Sequence, residues 1–298
     1  MKTRTLTGFA LLLLVVSVSA HAVTLEEYAK QNPLKIYTAA KGSDVPLGND
    51  PTNNISDGAK LLLLDGKGIT SIDGISKLTA DDNGHKVELA KVDKLMIFMN
   101  DNDLETLPAE IGQMKRVIFI YFEKNQLSTL PPELAQMSSL QGMYFTKNRF
   151  TEIPAVVFTM KWLRKLQFSQ NHIKVMPPEI GNLSNLIHMD MSENEFASLP
   201  DSISHLQELR ICSLSDNKLT SLPESFGTVK IRYQLRVRNN PLTALPAGFA
   251  DMPGSIDITG TNIDPNTLPA AIRAKLDTKT HKENSGSSGA KRPFSKQN

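Results

Sequence analysis

The chain has 298 residues, with 33 Lys+Arg against 31 Asp+Glu and a formal net charge of +2. That balance excludes the one-sided basic field of a dedicated nucleic-acid binder. A single cysteine, Cys212, excludes an intrachain disulfide framework and a cysteine-rich metal cluster. The 40% hydrophobic share is that of a globular chain rather than a disordered one.

Residues 1–22 read as a secretory leader. Lys2 and Arg4 precede the apolar run Phe9 to Val16, and Ala20-His21-Ala22 is a small-residue cleavage site. The run is too short to span a bilayer, and no later segment is apolar enough to do so. The first residue after cleavage is Val23 rather than cysteine, so no lipoprotein anchor is expected. The predicted location is periplasmic or extracellular, with no membrane span.

Residues 23–58 read as an N-terminal capping segment. Thr24-Leu25-Glu26-Glu27 has the composition of a helix start. Thr38 to Ser56 is rich in Gly, Pro, Asn and Asp and reads as loop.

Length alone suggests about two domains, but an internal repeat replaces that expectation with one array over residues 59–276. Asparagines recur every 23 residues at Asn102, Asn125, Asn148, Asn171, Asn194, Asn217 and Asn240. Around each, one template holds. Apolar side chains stand five and three residues before the Asn, as in Leu166 and Phe168, and two and five residues after it, as in Ile173 and Met176. Proline follows six residues after each Asn, from Pro108 to Pro246. The alternation before the Asn predicts a short strand, and a unit this small cannot bury its own apolar face, so units must stack. The side-chain amide of each Asn can satisfy loop backbone groups that have no ladder partner, which predicts a stacked Asn ladder. The proline suits the first turn of a short convex helix.

This template resembles the leucine-rich-repeat pattern L-x-x-L-x-L-x-x-N-x-L, in the 23-residue subclass with an L-P-x-x-[IL] segment such as Leu107-Pro108-Ala109-Glu110-Ile111. The resemblance implies an α/β class solenoid, right-handed, with a parallel concave β-sheet and short helices or turns on the convex side. The flanks lack capping cysteine pairs, a departure that favours a bacterial secreted or periplasmic member.

The repeats decay at both ends. Lys67 stands in the Asn position upstream, and the 35 residues from it to Asn102 place an insertion near Thr79 to His85, expected to be a polar loop. Downstream, Thr261 takes the Asn position, and Pro269 to Leu276 suggests a closing helix. Residues 277–298 carry Lys279, Lys282, Lys291, Arg292 and Lys296 and read as a disordered basic tail.

Strand residues between the apolar anchors are expected on the concave face, the usual binding surface of solenoids. The expected partner-binding residues are Met96, Phe98, Phe119, Tyr121 and Tyr144, an aromatic patch, with Lys165, Arg236 and Arg238 in the polar half. The same spacing also fits rings that stack on one another or that the N-terminal segment covers. Cys212 falls on an inward column. No catalytic constellation emerges: His85, His172, His188, His205 and His281 lack metal-ligand spacing, and there is no G-x-S-x-G elbow. His188 and Asp190 share a strand face, which alone is weak support for chemistry. The sequence thus predicts a non-enzymatic scaffold that recognises a macromolecule, a protein first and a glycan or cell-envelope component as the alternative. It calls for no cofactor, no metal and no nucleic acid.

Overall fold

A computed structural model describes residues 22–39 and 58–277. The expected leader, apart from Ala22, and the tail beyond Asp277 lie outside the described residues, as does most of the predicted loop of Thr38 to Ser56.

The first described element is a short strand, β1 (Val23–Thr24), that runs straight into helix α1 (Leu25–Gln31). The helix starts where the composition predicts. Thr24 Oγ1 accepts the Glu27 N–H at 3.2 Å, and the Glu27 carboxylate accepts the Thr24 N–H at 3.0 Å. Such a reciprocal cap contributes about 1 kcal/mol and fixes the helix start. It also holds the Glu27 carboxyl below the usual carboxylate range. Leu25 is fully buried and seals the N-terminal end of the core.

Strand β2 (Ile36–Thr38) pairs antiparallel with β3 (Lys60–Leu63). Next, β4 (Ile69–Ser71) pairs with β1, outside the main sheet. The insertion found in the sequence is not a loop. It is an antiparallel hairpin, β5 (Thr79–Asp82) and β6 (His85–Glu88). Its two-residue turn is Asn83-Gly84, both at positive φ, the pair that a type I′ turn demands.

The repeats then supply one strand each: β7 (Leu95–Phe98), β8 (Val117–Tyr121), β9 (Gly142–Tyr144), β10 (Lys165–Gln167), β11 (His188–Asp190), β12 (Ile211–Ser213), β13 (Gln234–Arg236) and β14 (Ser255–Asp257). With β3 and β2 they form a ten-stranded sheet, ordered as in the chain and parallel everywhere except at β2. The 23-residue period sets the register, so Leu166 lies between Met143 and Met189. Inward columns therefore stack residue upon equivalent residue. Phe122, Phe145, Phe150 and Phe168 form a fully buried spine with successive centroids 4.9 to 6.0 Å apart.

The convex side is made of five-residue 3-10 segments, for example Ala109–Gln113 and Asp201–His205. The prolines stand one position earlier than expected. Pro108, Pro131, Pro154, Pro177, Pro200, Pro223 and Pro246 occupy the cap position, with extended ψ, rather than the first turn. The reason is backbone geometry: each proline carbonyl accepts the N–H three residues on, as Pro108 does from Ile111 at 3.0 Å. At the far end α2 (Ala270–Arg273) follows Pro269, and Leu276 bridges to Ile256 on the last strand. Ile272 turns into the core and closes it.

The asparagines form a continuous polar spine along the solenoid. Asn171 Oδ1 accepts the Phe150 N–H of the preceding repeat at 3.1 Å. Its Nδ2 donates to the carbonyls of Phe145, Phe168 and Ser169 at 3.0 to 3.1 Å. The same pattern recurs at Asn125, Asn148, Asn194, Asn217 and Asn240. Asn102 reaches back across the insertion to the N–H groups of Lys67 and Ile69. The residue before each Asn, from Asp101 to Asn239, takes a positive φ of 51 to 58°. That twist aims its N–H at the next repeat, as when Lys124 donates to Thr146 O at 2.8 Å. These turn residues add a rung beyond the strands.

Candidate functional site

The concave face has two halves of different chemistry. In the N-terminal half, the register places Phe98, Tyr121 and Tyr144 side by side. Their rings stack at 4.3 Å between centroids, with interplanar angles of 3° and 16°. In-register parallel strands lie about 4.8 Å apart, which is near ring-stacking distance. A column of aromatic residues on such a sheet therefore covers its own faces.

The exposed aromatic patch expected from the sequence is accordingly a buried cluster. Met96 is 0%, Phe98 4%, Tyr121 3% and Tyr144 2% exposed, and Ala39, Ala59, Leu61 and Ile118 belong to the same cluster. Phe119 alone of the five is partly accessible. Its ring lies over Gly142, tilted against Tyr121 and Tyr144, with Lys165 Nζ at 6.0 Å from its centroid. Lys165 itself is buried.

The C-terminal half is polar. Arg236 and Arg238 are partly exposed, as are Gln167, Asp190 and Gln234. The carboxylates here are engaged locally. Asp190 accepts the Ser192 N–H at 3.0 Å and its hydroxyl at 2.6 Å, and Asp257 does the same with Thr259. Asp190 is thereby turned along its own strand. Arg238 Nε stands 3.7 Å from Asp257.

Just past β8, in the N-terminal half, sits Glu123, which the sequence reading did not single out. Burial pushes its carboxyl up to about 7, with Asp65 and Asp190 adding to the effect and Lys124 opposing it. Its position two residues before a ladder Asn, where Thr146, Ser169, Ser192 and Ser215 stand in four other repeats, was the available signal.

Cys212 lies fully inside the core, and burial pushes its thiol well above the ordinary range. Among the described residues no three His, Cys, Asp or Glu side chains come close enough to hold a metal ion. An open depression of about 700 Å³ beside the β5–β6 hairpin is lined by Lys60, Asp82, Lys86 and Lys94, among others, and touches none of the expected partner-binding residues. No helix among the described residues is long and apolar enough to cross a membrane.

Comparison with known proteins returns the repeat architecture. Residues 161–219 match a family model described as leucine rich repeat. A solved leucine-rich-repeat protein of Leptospira interrogans is 26% identical with a TM-score of 0.52, over 66% of this chain and 54% of that one. This chain thus spans little more than half of that protein. The leucine-rich-repeat ectodomain of the Arabidopsis thaliana membrane receptor kinase GASSHO1/SCHENGEN3, solved in complex with Casparian strip integrity factor 2, is 18% identical with a TM-score of 0.55. The alignment covers 75% of this chain and 28% of that one. No curated protein matches the sequence.

Proposed function

The chain is a leucine-rich-repeat protein, and on that premise we propose that it is an exported, non-enzymatic scaffold that binds a protein partner across the concave face of its solenoid. The observation that carries this reading is the ten-stranded sheet itself. It presents one side chain per repeat, in register, over a rigid hydrogen-bonded backing. A pre-formed surface loses little conformational freedom on binding. The plant receptor ectodomain binds its ligand, Casparian strip integrity factor 2, on the same general fold.

Within this reading the groups that touch a partner are Phe119, Arg236 and Arg238, the accessible members of the expected set. The stacked Phe98, Tyr121 and Tyr144, with Met96, form the stiff floor that holds Phe119 in place. Lys165 braces the other side of that ring. Mixed charges in the polar half suit a protein surface better than a uniform polyanion. Export rests on the leader pattern of residues 1–22. This reading keeps the division expected from the sequence, a capping segment of 23–58, a solenoid of 59–276 and a tail of 277–298.

The test is capture of a partner from cell-envelope and host extracts by the wild-type protein and by a folded Phe119→Ala/Arg236→Ala/Arg238→Ala variant. A defined protein retained by the first and lost by the second supports the reading. Equal retention moves the site off the concave face. Retention of a glycan alone, on an array, replaces the protein partner with a carbohydrate.

A further inference from the structure

The two edges of the solenoid differ. On the edge where the chain leaves the strands, carboxylates are paired from repeat to repeat with a lysine or an amide side chain. Lys218 meets Glu195 at 2.8 Å, Gln126 meets Asp103, Gln170 meets Glu193 and Asn239 meets Asp216. The opposite rim, where the chain leads into the strands, lacks this pairing in its C-terminal half. Its segments 160–164, 183–187, 206–210 and 229–233 carry Lys161, Arg164, Arg210, Lys230 and Arg232 against one carboxylate, Glu208. Among the described residues, only Lys230 of these cations has a carboxylate neighbour, Asp251 at 3.6 Å.

The same rim holds two of the exposed large apolar side chains, Trp162 at 37% and Tyr233 at 47%. Trp162 is the sole tryptophan and sits in a turn where other repeats place Arg116, Ser139, Asn185 and Glu208. Neither ring takes part in the aromatic stacks of the interior. Trp162 and Tyr233 lie three repeats apart, which is about 15 Å at the strand spacing. A row of this kind along a rim can meet a plane at every position, whereas a concave face cannot.

Rings of Trp and Tyr settle at the headgroup level of a bilayer, and interleaved Arg and Lys meet lipid phosphates. The described chain also ends here. Asp277 accepts a hydrogen bond from Gln234, the neighbour of Tyr233, at 3.2 Å. The next residues carry Lys279, Lys282, Lys291, Arg292 and Lys296 against Glu283 alone. We infer that this rim, centred on Trp162, Arg164, Arg210, Arg232 and Tyr233, docks the protein on an anionic lipid surface. The concave face is left free. The inference stands apart from the concave-face reading, because no residue is shared between them.

The experiment is co-sedimentation of the protein with phosphatidylcholine vesicles, with and without phosphatidylglycerol, at low and high salt. Two variants run beside it, Arg164→Gln/Arg210→Gln/Arg232→Gln and Trp162→Ala/Tyr233→Ala. All five side chains are at the surface, so both variants should fold, and thermal melting verifies it. Binding should require phosphatidylglycerol and weaken with salt. The arginine variant should partition roughly 100-fold less, since each cation near an anionic leaflet contributes about a fivefold gain. The aromatic variant should lose binding at both salt concentrations. Equal binding to neutral vesicles, unchanged binding by both variants, or no binding at all would overturn the inference. Retention on dextran sulfate without vesicle binding would also overturn it, in favour of an acidic polymer. Partner capture through Phe119, Arg236 and Arg238 should be the same in both rim variants.

Discussion

The Phe119 ring fills the space that Gly142 leaves by having no side chain. A Cβ at Gly142 would stand 2.5 Å from Phe119 Cδ1 and 2.6 Å from Cε1, closer than real carbon contacts allow. The two residues are in-register neighbours on β8 and β9. Glycine in a strand is ordinarily unfavourable, for it offers no side chain to pack. Here its absence of a Cβ gives the one accessible ring of the concave aromatic cluster its place over β9.

Gly142→Ala should therefore destabilise the fold by about 1–2 kcal/mol, since overpacking outweighs the roughly 0.5 kcal/mol gained from a stiffer unfolded chain. In a Phe119→Ala background the same substitution should be neutral or slightly stabilising. A double-mutant cycle by urea denaturation measures the coupling. Equal costs in both backgrounds would mean that the ring moves aside freely.

Asn171→Ala should cost about 3 kcal/mol. It strands the buried Phe150 N–H and takes one donor from three carbonyls at once. Gln126→Ala, which removes an exposed bond to Asp103, should cost less than about 0.5 kcal/mol. Urea melts of the two variants test the difference. Similar costs would indicate that the array relaxes around a missing Asn.

Glu123 should impose a pH dependence on stability. Its carboxyl is raised to about 7 from the ordinary 4.5, so the native state binds the proton more tightly than the unfolded chain. The stabilisation is complete below about pH 4.5 and is lost as pH rises through 7. Glu123→Gln should remove a fall of about 2 kcal/mol across that window. Melting at pH 4.5, 6 and 8 compares the two proteins, and parallel curves would refute the assignment.

Cys212 should be inert in the native protein. Burial favours the neutral thiol, and the thiolate is the reactive form. Its reaction with a disulfide reagent at pH 8 should run at least 100-fold slower than in urea. A rate near that of the unfolded chain would mean that the repeat opens locally and often.

Much of the architecture was legible before any coordinates. A strict 23-residue period forces equivalent residues into stacked columns, because each inward side chain must fill the layer between its neighbours. That reasoning reaches the inward position of Cys212 and the parallel sheet, while local composition reaches the helix start at Thr24. The tertiary structure decided what a one-dimensional pattern does not contain. Outward positions are not thereby exposed: Tyr121 and Tyr144 face away from the main core, yet their rings stack at the strand spacing and pack in one buried cluster with Phe98, Ala39, Ala59, Leu61 and Ile118. Gly142 and Phe119 are unremarkable in their own repeats, and only lateral contact across the sheet gives the pair a meaning. The polar insertion became a hairpin because Asn83-Gly84 supports a tight turn once Asp81 and Asp82 have partners to pair with. Periodicity determines which way a side chain points. What covers it is set by neighbours that are 23 residues away in the chain and one strand away in space.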